Sequence, residues 1–288
     1  MAEIKRIAVL GAGLMGHGIA QVAAQVGKYD VNLRDVEQRF IDSGVGMIRE
    51  SLQRFVKKGQ LTEADMNATL ARIHPMLDLK EAVIDADLIV EAVPENLELK
   101  KATFREVDSY APSNAIIASN TSSVSITEMA SATKRPERVC GMHFFNPPQL
   151  MKLIEVIRGA KTSDATIETI LAVAHRMEKE TVLVKKDSPG FIVNRILIPA
   201  LNEAVALCYE GVADRDDIDK AIKLGLNWPM GPLMLLDYIG SDTTLAIAEV
   251  LTKELDPKFH PTTGLKQMAK AQLLGRKTGK GFYDWTQK

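Results

Sequence analysis

The chain is poor in cysteine. Among 288 residues only Cys140 and Cys208 carry a thiol, 68 positions apart. That spacing fits no metal-binding pair and no disulfide framework, and it points to a reducing, cytoplasmic compartment. Histidine is sparse as well: His17, His74, His143, His175 and His260 form no cluster with metal-ligand spacing, so no metal site is expected. Neither sign of charge is in excess. Lys and Arg number 36 against 37 Asp and Glu, a formal net charge of −1. This removes the broad basic field that gathers nucleic acid or an anionic membrane. Hydrophobic residues, at 46%, are too many for a disordered chain. The length suits two domains or one large one.

One long stretch lacks charge. From Ile7 to Gly27 there is no Asp, Glu, Lys or Arg, enough to imitate a membrane span, and Lys5 and Arg6 precede it as in a signal peptide. Five glycines, with His17, Gln21 and Gln25, argue against both readings. The run divides instead into a strand, Ile7 to Leu10, a glycine turn, and a helix from Leu14 to Val26. No other stretch resembles a span. No Arg-rich leader precedes the first strand, and Thr286-Gln287-Lys288 is not a peroxisomal ending. The expectation is a cytoplasmic protein with no membrane and no nucleic-acid partner.

The glycine turn reads Gly11-Ala12-Gly13-Leu14-Met15-Gly16, a GxGxxG between a buried strand and a helix. A second strand, Val31 to Leu33, leads to Asp35, 19 residues after Gly16. This is the context of a dinucleotide fingerprint. Gly11 permits the tight turn, Gly13 the approach of a pyrophosphate, and Gly16 the packing of helix on strand. The helix N-terminus then offers free N–H groups to phosphate. Asp35 is placed to accept hydrogen bonds from the adenosine ribose, which favours NAD; Arg34 beside it keeps NADP open. Helices at Ser43–Lys58, Asn96–Tyr110 and Ile126–Ala132 alternate with strands at Leu88–Val90 and Ala115–Ala118. The pattern implies an α/β fold, a doubly wound Rossmann-like sheet domain, with ligands beyond the C-terminal strand ends. Two segments fall there, Val93 to Asn96 and the polar run Ser119 to Ser123, the latter a helix cap or a ligand contact.

Val139 to Phe145 and Leu153 to Ile157 read as strands interrupted by Asn146-Pro147-Pro148-Gln149. If they pair as an antiparallel hairpin centred on Gln149, His143 lies opposite Glu155 on one face. A carboxylate there can hold one imidazole tautomer and leave the other nitrogen as a base. A slip of one residue would separate the two, and a plain structural ion pair is the other reading. After a strand at Thr181–Val184 and the break Ser188-Pro189-Gly190, only helices are expected: Phe191–Tyr209 with Pro199 inside it, Ile218–Lys223, Pro232–Tyr238, Thr243–Leu251 and Leu265–Leu274. The boundary is drawn as 1–186 for the nucleotide domain and 187–288 for a smaller all-helical substrate and dimerisation domain. Asn194 is expected to reach a cleft between the two. Leu197, Leu201, Ala204 and Val205 read as an interface or as core.

Together GAGLMGHGIA, VEAVPENLELK, SNTSS, HFFNPPQLMKLIEV, DSPGFIVNRI, KLGLNWPMGPLMLLDYIG and GRKTGKGFYDW, in order along nearly the whole chain, resemble the L-3-hydroxyacyl-CoA dehydrogenase family. The likeness is strongest to its short bacterial members, the 3-hydroxybutyryl-CoA dehydrogenases. The resemblance implies reversible oxidation of an (S)-3-hydroxyacyl-CoA to the 3-oxoacyl-CoA with NAD. It gives His143 the hydroxyl proton, Glu155 the orienting of His143, and Ser122 a hydrogen bond to the reacting oxygen. Asn146 and Asn194 would position substrate. Gly11, Gly13, Leu14, Met15, Gly16 and Asp35 would make the dinucleotide site with Glu95, Lys100, Ser122, Asn146 and Lys277. Ser51 and Lys58, on one helical face, would contact coenzyme A, or else form a plain exposed face. The helical half would make a homodimer. Two alternatives stand beside this: a dehydrogenase of free hydroxy acids or sugar acids, and a non-catalytic dinucleotide sensor.

Overall fold

A computed structural model describes residues 3–286; the outer limits of the two expected domains, and Gln287 and Lys288, lie outside these residues. The chain forms two compact units, 1–188 and 189–288.

The first unit is built on eight strands: β1 Arg6–Leu10, β2 Asp30–Arg34, β3 Ile73–Met76, β4 Leu88–Glu91, β5 Ile116–Ser119, β6 Val139–Phe144, β7 Leu153–Ile157 and β8 Glu180–Val184. Their order in the sheet is β3-β2-β1-β4-β5-β6-β7-β8. All neighbours are parallel except β6 and β7. The chain runs outward from β1 to β3 and then returns to β4 on the other side of β1. The crevice outside β1 and β4 is therefore the switch point where ligands bind. The helices are α1 Gly16–Gln25, α2 Gln38–Lys57, α3 Glu63–Ala71, α4 Leu79–Val83, α5 Leu97–Tyr110, α6 Ile126–Ala130 and α7 Asp164–Arg176. One continuous core joins the strands to α1, α2 and α7: Ile7, Val9, Val31, Val90, Ile19, Leu52, Ile154 and Ile170 are all buried in it.

Most elements fall where the sequence places them, with local differences. The second helix begins at Gln38 rather than Ser43, and the one after the polar run ends at Ala130. α3, β3, α4 and α7 are additions to the expected alternation. β3 is an edge strand containing Pro75, the position where a residue without an N–H is tolerated. The boundary moves two residues later than 186, because Asp187 is tied into the first unit: its Oδ2 accepts from Ser125 Oγ at 2.6 Å and Thr127 N at 2.8 Å.

The second unit holds α8 Val193–Tyr209, α9 Arg215–Gly225, α10 Pro232–Ile239, α11 Ser241–Glu254 and α12 Thr263–Lys270. α8 continues through Pro199. Of the four residues read as interface or core, Leu201, Ala204 and Val205 are core residues, packed with Leu233, Leu236 and Leu265, and Leu197 is partly buried against them. Two isolated β-bridges, Gly275 with Lys280 and Lys280 with Asp284, shape the final turn. No helix among the described residues is long and apolar enough to cross a membrane; the uncharged run gives four residues of β1, Ile7 to Leu10, and the ten-residue helix α1.

Candidate active site

The glycine turn has the form a diphosphate requires. Gly11 has φ +103°, and a Cβ there would lie 2.6 Å from the Ala92 carbonyl oxygen; a Cβ on Gly16 would lie 1.7 Å from the Gly11 oxygen. Both positions exclude a side chain. Gly13 is different: a Cβ there would meet nothing within 4 Å among the described residues. The space over Gly13 is open, and Leu14 beside it is exposed. No side chain among the described residues caps α1, and its first turn holds no acid, so no side chain there offsets the positive end of the helix dipole. Asp35 follows β2, where its Oδ2 accepts from Ala12 N at 2.7 Å and its Oδ1 from Val36 N at 2.7 Å. Arg34 turns its Nε to the Leu77 carbonyl at 3.0 Å.

At the ends of β4 and β5 a second group forms. Glu95 Oε1 gathers donors from the polar run: Thr121 Oγ1 at 2.5 Å, Ser122 N at 2.9 Å, Ser122 Oγ at 3.3 Å, and Ser123 N and Oγ at 3.2 Å. The run is thus not the helix cap. Ser125 has that role for α6, accepting from Glu128 N at 3.2 Å. Burial works to raise the Glu95 carboxyl, but the Lys100 ammonium, the Thr121 hydroxyl and the Ser122 amide outweigh it and hold the group below the usual carboxylate range. Lys100 is 1% exposed. Its Nζ donates to Glu91 Oε1 at 2.7 Å and Val93 O at 3.2 Å, and lies 3.1 Å from Glu95 Oε2.

The hairpin has the register read from its symmetry. β6 and β7 are antiparallel with His143 opposite Glu155, and Nδ1 lies 2.8 Å from Oε2. Glu155 is fully buried and the His143 side chain 8% exposed. A carboxylate only accepts, so Nδ1 is the donor of this contact. The imidazole lies against Phe145, ring centroids 4.7 Å apart. Past the last β5–β6 pair, Asn120 Oδ1 accepts from Phe144 N at 2.9 Å and so continues the ladder beside His143. The turn is held by Lys179, whose buried ammonium donates to Pro148 O at 2.7 Å and Met151 O at 2.6 Å; burial pushes that ammonium below the usual lysine value. On its other side Gly18 admits the turn, since a Cβ there would lie 2.6 Å from Gln149 Oε1. Cys140, on the same strand as His143, is no nucleophile: burial pushes its thiol up to about 12.

The family models settle the identity. The 3-hydroxyacyl-CoA dehydrogenase NAD binding domain matches residues 6–188, and the C-terminal domain of the same family matches residues 190–285. The chain belongs to the 3-hydroxyacyl-CoA dehydrogenase family. It is 47% identical over 287 residues to a probable 3-hydroxybutyryl-CoA dehydrogenase of Bacillus subtilis, covering 99% of each chain. It is 49% identical over 281 residues to a probable 3-hydroxybutyryl-CoA dehydrogenase of Deinococcus radiodurans, 97% of this chain and 100% of that one. The crystal structure of (S)-3-hydroxybutyryl-CoA dehydrogenase from Ralstonia eutropha matches with a TM-score of 0.93 at 45% identity, covering 99% of this chain and 100% of that one. The protein is accordingly an NAD-dependent oxidoreductase of the 3-hydroxybutyryl-CoA dehydrogenase kind.

Of the dehydrogenase's expected site residues, the first unit brings together three groups at the strand ends: Gly11 to Gly16 with Asp35, Glu95 with Ser122, and His143 with Glu155. Asn146 is exposed at the hairpin turn. Lys100 is turned inward onto Glu91 and Glu95 rather than outward. Ser51 and Lys58 do not form an exposed face. Ser51 is 3% exposed within α2, whereas Lys58 is exposed at the cap residue after it. Asn194 and Lys277 lie in the second unit. Asn194 is half-buried in the first turn of α8. The Lys277 ammonium donates to Asp242 Oδ1 at 2.8 Å and Thr243 Oγ1 at 2.7 Å. Glu91 and Lys179 were not anticipated as participants, whereas Asn120 and Thr121 fall in the polar run Ser119 to Ser123, read as a cap or a ligand contact. The one visible signal was an acidic residue closing the apolar strand Leu88-Ile89-Val90-Glu91.

Proposed function

We propose that this dehydrogenase interconverts (S)-3-hydroxybutyryl-CoA and acetoacetyl-CoA, with His143 as the general base and acid. The observation that carries the reading is the buried 2.8 Å contact of His143 Nδ1 with Glu155. Bound NAD supplies the hydride acceptor. The open space over Gly13 and the uncapped start of α1 suit its pyrophosphate, and Asp35 suits the ribose of NAD better than the phosphate of NADP. In the oxidative direction His143 Nε2 takes the hydroxyl proton as the C3 hydrogen leaves with its electron pair, and the C3–O bond becomes a carbonyl. Glu155 holds the tautomer and balances the imidazolium. Ser122 donates to the reacting oxygen, and Asn146 helps to position the substrate. In reduction His143 returns the proton. The second unit carries the homodimer contact. Its large exposed side chains Ile196, Val212, Leu224 and Leu226, 61–76% exposed, support that assignment.

The test is a rate comparison across C4 to C16 3-oxoacyl-CoA substrates, each with NADH and with NADPH. The expected result is the highest kcat/KM for acetoacetyl-CoA with NADH. A preference for long chains, for free acids or for NADPH would contradict the proposal.

A further inference from the structure

Glu91 is fully buried at the end of β4, and nothing in the proposed chemistry uses it. Leu88, Ile89 and Val90 show that an apolar residue suffices for the sheet at this depth, and a buried carboxylate is costly unless its partners repay the lost water. All of its contacts are specific. Oε1 accepts from Lys100 Nζ at 2.7 Å and from Val93 N at 2.8 Å, and Oε2 accepts from Ser119 Oγ at 2.6 Å. Lys100 also lies 3.1 Å from Glu95 Oε2 and donates to Val93 O at 3.2 Å. Glu95 in turn holds the Ser122 amide at 2.9 Å and the Ser122 hydroxyl at 3.3 Å. An unbroken line of contacts therefore runs Glu91–Lys100–Glu95–Ser122. Its two ends are unlike: the first link is short and sealed from water, and the last is long. A hydroxyl donates to one acceptor at a time, so Ser122 can release Glu95 for a substrate oxygen while its amide stays fixed.

The geometry points to Glu91 as a positioning residue for the reaction: it fixes Lys100, Lys100 fixes Glu95, and Glu95 aims the Ser122 hydroxyl. The inference rests on the reading of Ser122 given above. On this reading Lys100 holds Glu95 in addition to the place in the dinucleotide site that the family resemblance gives it. Without Glu91 its ammonium would have Glu95 as its one carboxylate and would draw that side chain inward, away from the serine run.

The informative variant is Glu91→Gln, which removes the buried carboxylate at nearly constant volume and leaves Lys100 in place. The expected result is a folded enzyme that binds NADH with the parental affinity, read by coenzyme fluorescence, and has an unchanged KM for acetoacetyl-CoA. Its kcat falls by roughly 10²-fold, the scale of a group displaced by about an ångström. Placed in a Ser122→Ala background, the substitution should cost almost nothing further. Parental kcat in Glu91→Gln overturns the proposal. So does a loss confined to NADH affinity, which would make the network a coenzyme contact, or a loss that multiplies in full with that of Ser122→Ala. Failure of the underlying reading shows separately, as a Ser122→Ala enzyme with parental turnover, and that result also removes the route. If Glu91→Gln does not fold, Glu91→Asp keeps the charge, withdraws the carboxylate by one methylene, and is read against the same outcomes.

Discussion

In the first unit the fully buried acids are Glu91 and Glu155, and each faces a side chain that can carry a proton: the Lys100 ammonium and the His143 imidazole. In the second unit the buried acids are Asp219 and Asp237, and every hydrogen bond they accept comes from a neutral donor. Asp237 accepts from Phe282 N, Tyr283 N and Trp285 Nε1 at 2.8–3.0 Å. Asp219 accepts from Leu233 N, Met234 N and the Tyr283 hydroxyl. A carboxylate ringed by amides has no partner with which to exchange a proton; it ties chain segments together. Asp219 closes the N-terminus of α10, and Asp237 pins the C-terminal stretch, where a Cβ on Gly281 would lie 2.1 Å from its Oδ1. Burial, followed by the Asp219 carboxylate, pushes the Tyr283 phenol well above its usual range, so it remains a donor. Buried carboxylates meet proton-carrying side chains in the first unit and neutral donors in the second, and the partner decides which use is open to each.

Substitutions should separate the two uses. The largest effect on stability is expected for Asp237→Ala, which leaves three donors without an acceptor, at about 1–3 kcal/mol for each one unsatisfied. Thermal unfolding should show a large fall in Tm, with kcat per folded molecule near the parental value. A loss of turnover with Tm unchanged would break the comparison. Glu155→Gln should do the reverse. Steady-state kinetics should show kcat reduced by about 10²-fold or more, since base catalysis is typically worth 10²–10⁴, with little change in Tm. A stability loss without a kinetic one would make Glu155 a staple too.

The smallest effect is that of acid on Glu95. Its folded-state value is depressed, so its stabilisation is complete above the ordinary value of 4.5 and is lost as pH falls through the folded value. The Tm of the parental enzyme should exceed that of Glu95→Gln at neutral pH, and the gap should close only well below pH 4.5. A gap that does not change with pH would contradict the assigned charge on Glu95.

The parts of this site that could be read from the chain are those set by local geometry. The midpoint at Gln149 places His143 opposite Glu155 because a tight hairpin allows few registers, and the glycine spacing places the dinucleotide turn because strand, turn and helix are contiguous. The Glu91–Lys100–Glu95 network was not legible: its members leave one strand, one helix and one loop, and they meet only when the sheet and α5 pack. Lys179 reaches the hairpin turn from a distant segment and leaves no local trace. For Ser51 and Lys58 only the plain exposed-face reading is corrected, since a shared helical face in the sequence says nothing about which end of it is buried. β3 escaped for a physical reason, Pro75 on an edge strand. α7 did not have to escape, because Ile167, Ile170, Ala174 and Met177 recur at helical spacing and are all buried.

The central claim is that His143 moves the proton. It is tested most directly by single-turnover oxidation of NADH by acetoacetyl-CoA in a His143→Gln enzyme saturated with both. The account predicts a hydride-transfer rate lower by roughly 10²–10⁴ with NADH affinity preserved; a rate equal to the parental one would contradict it.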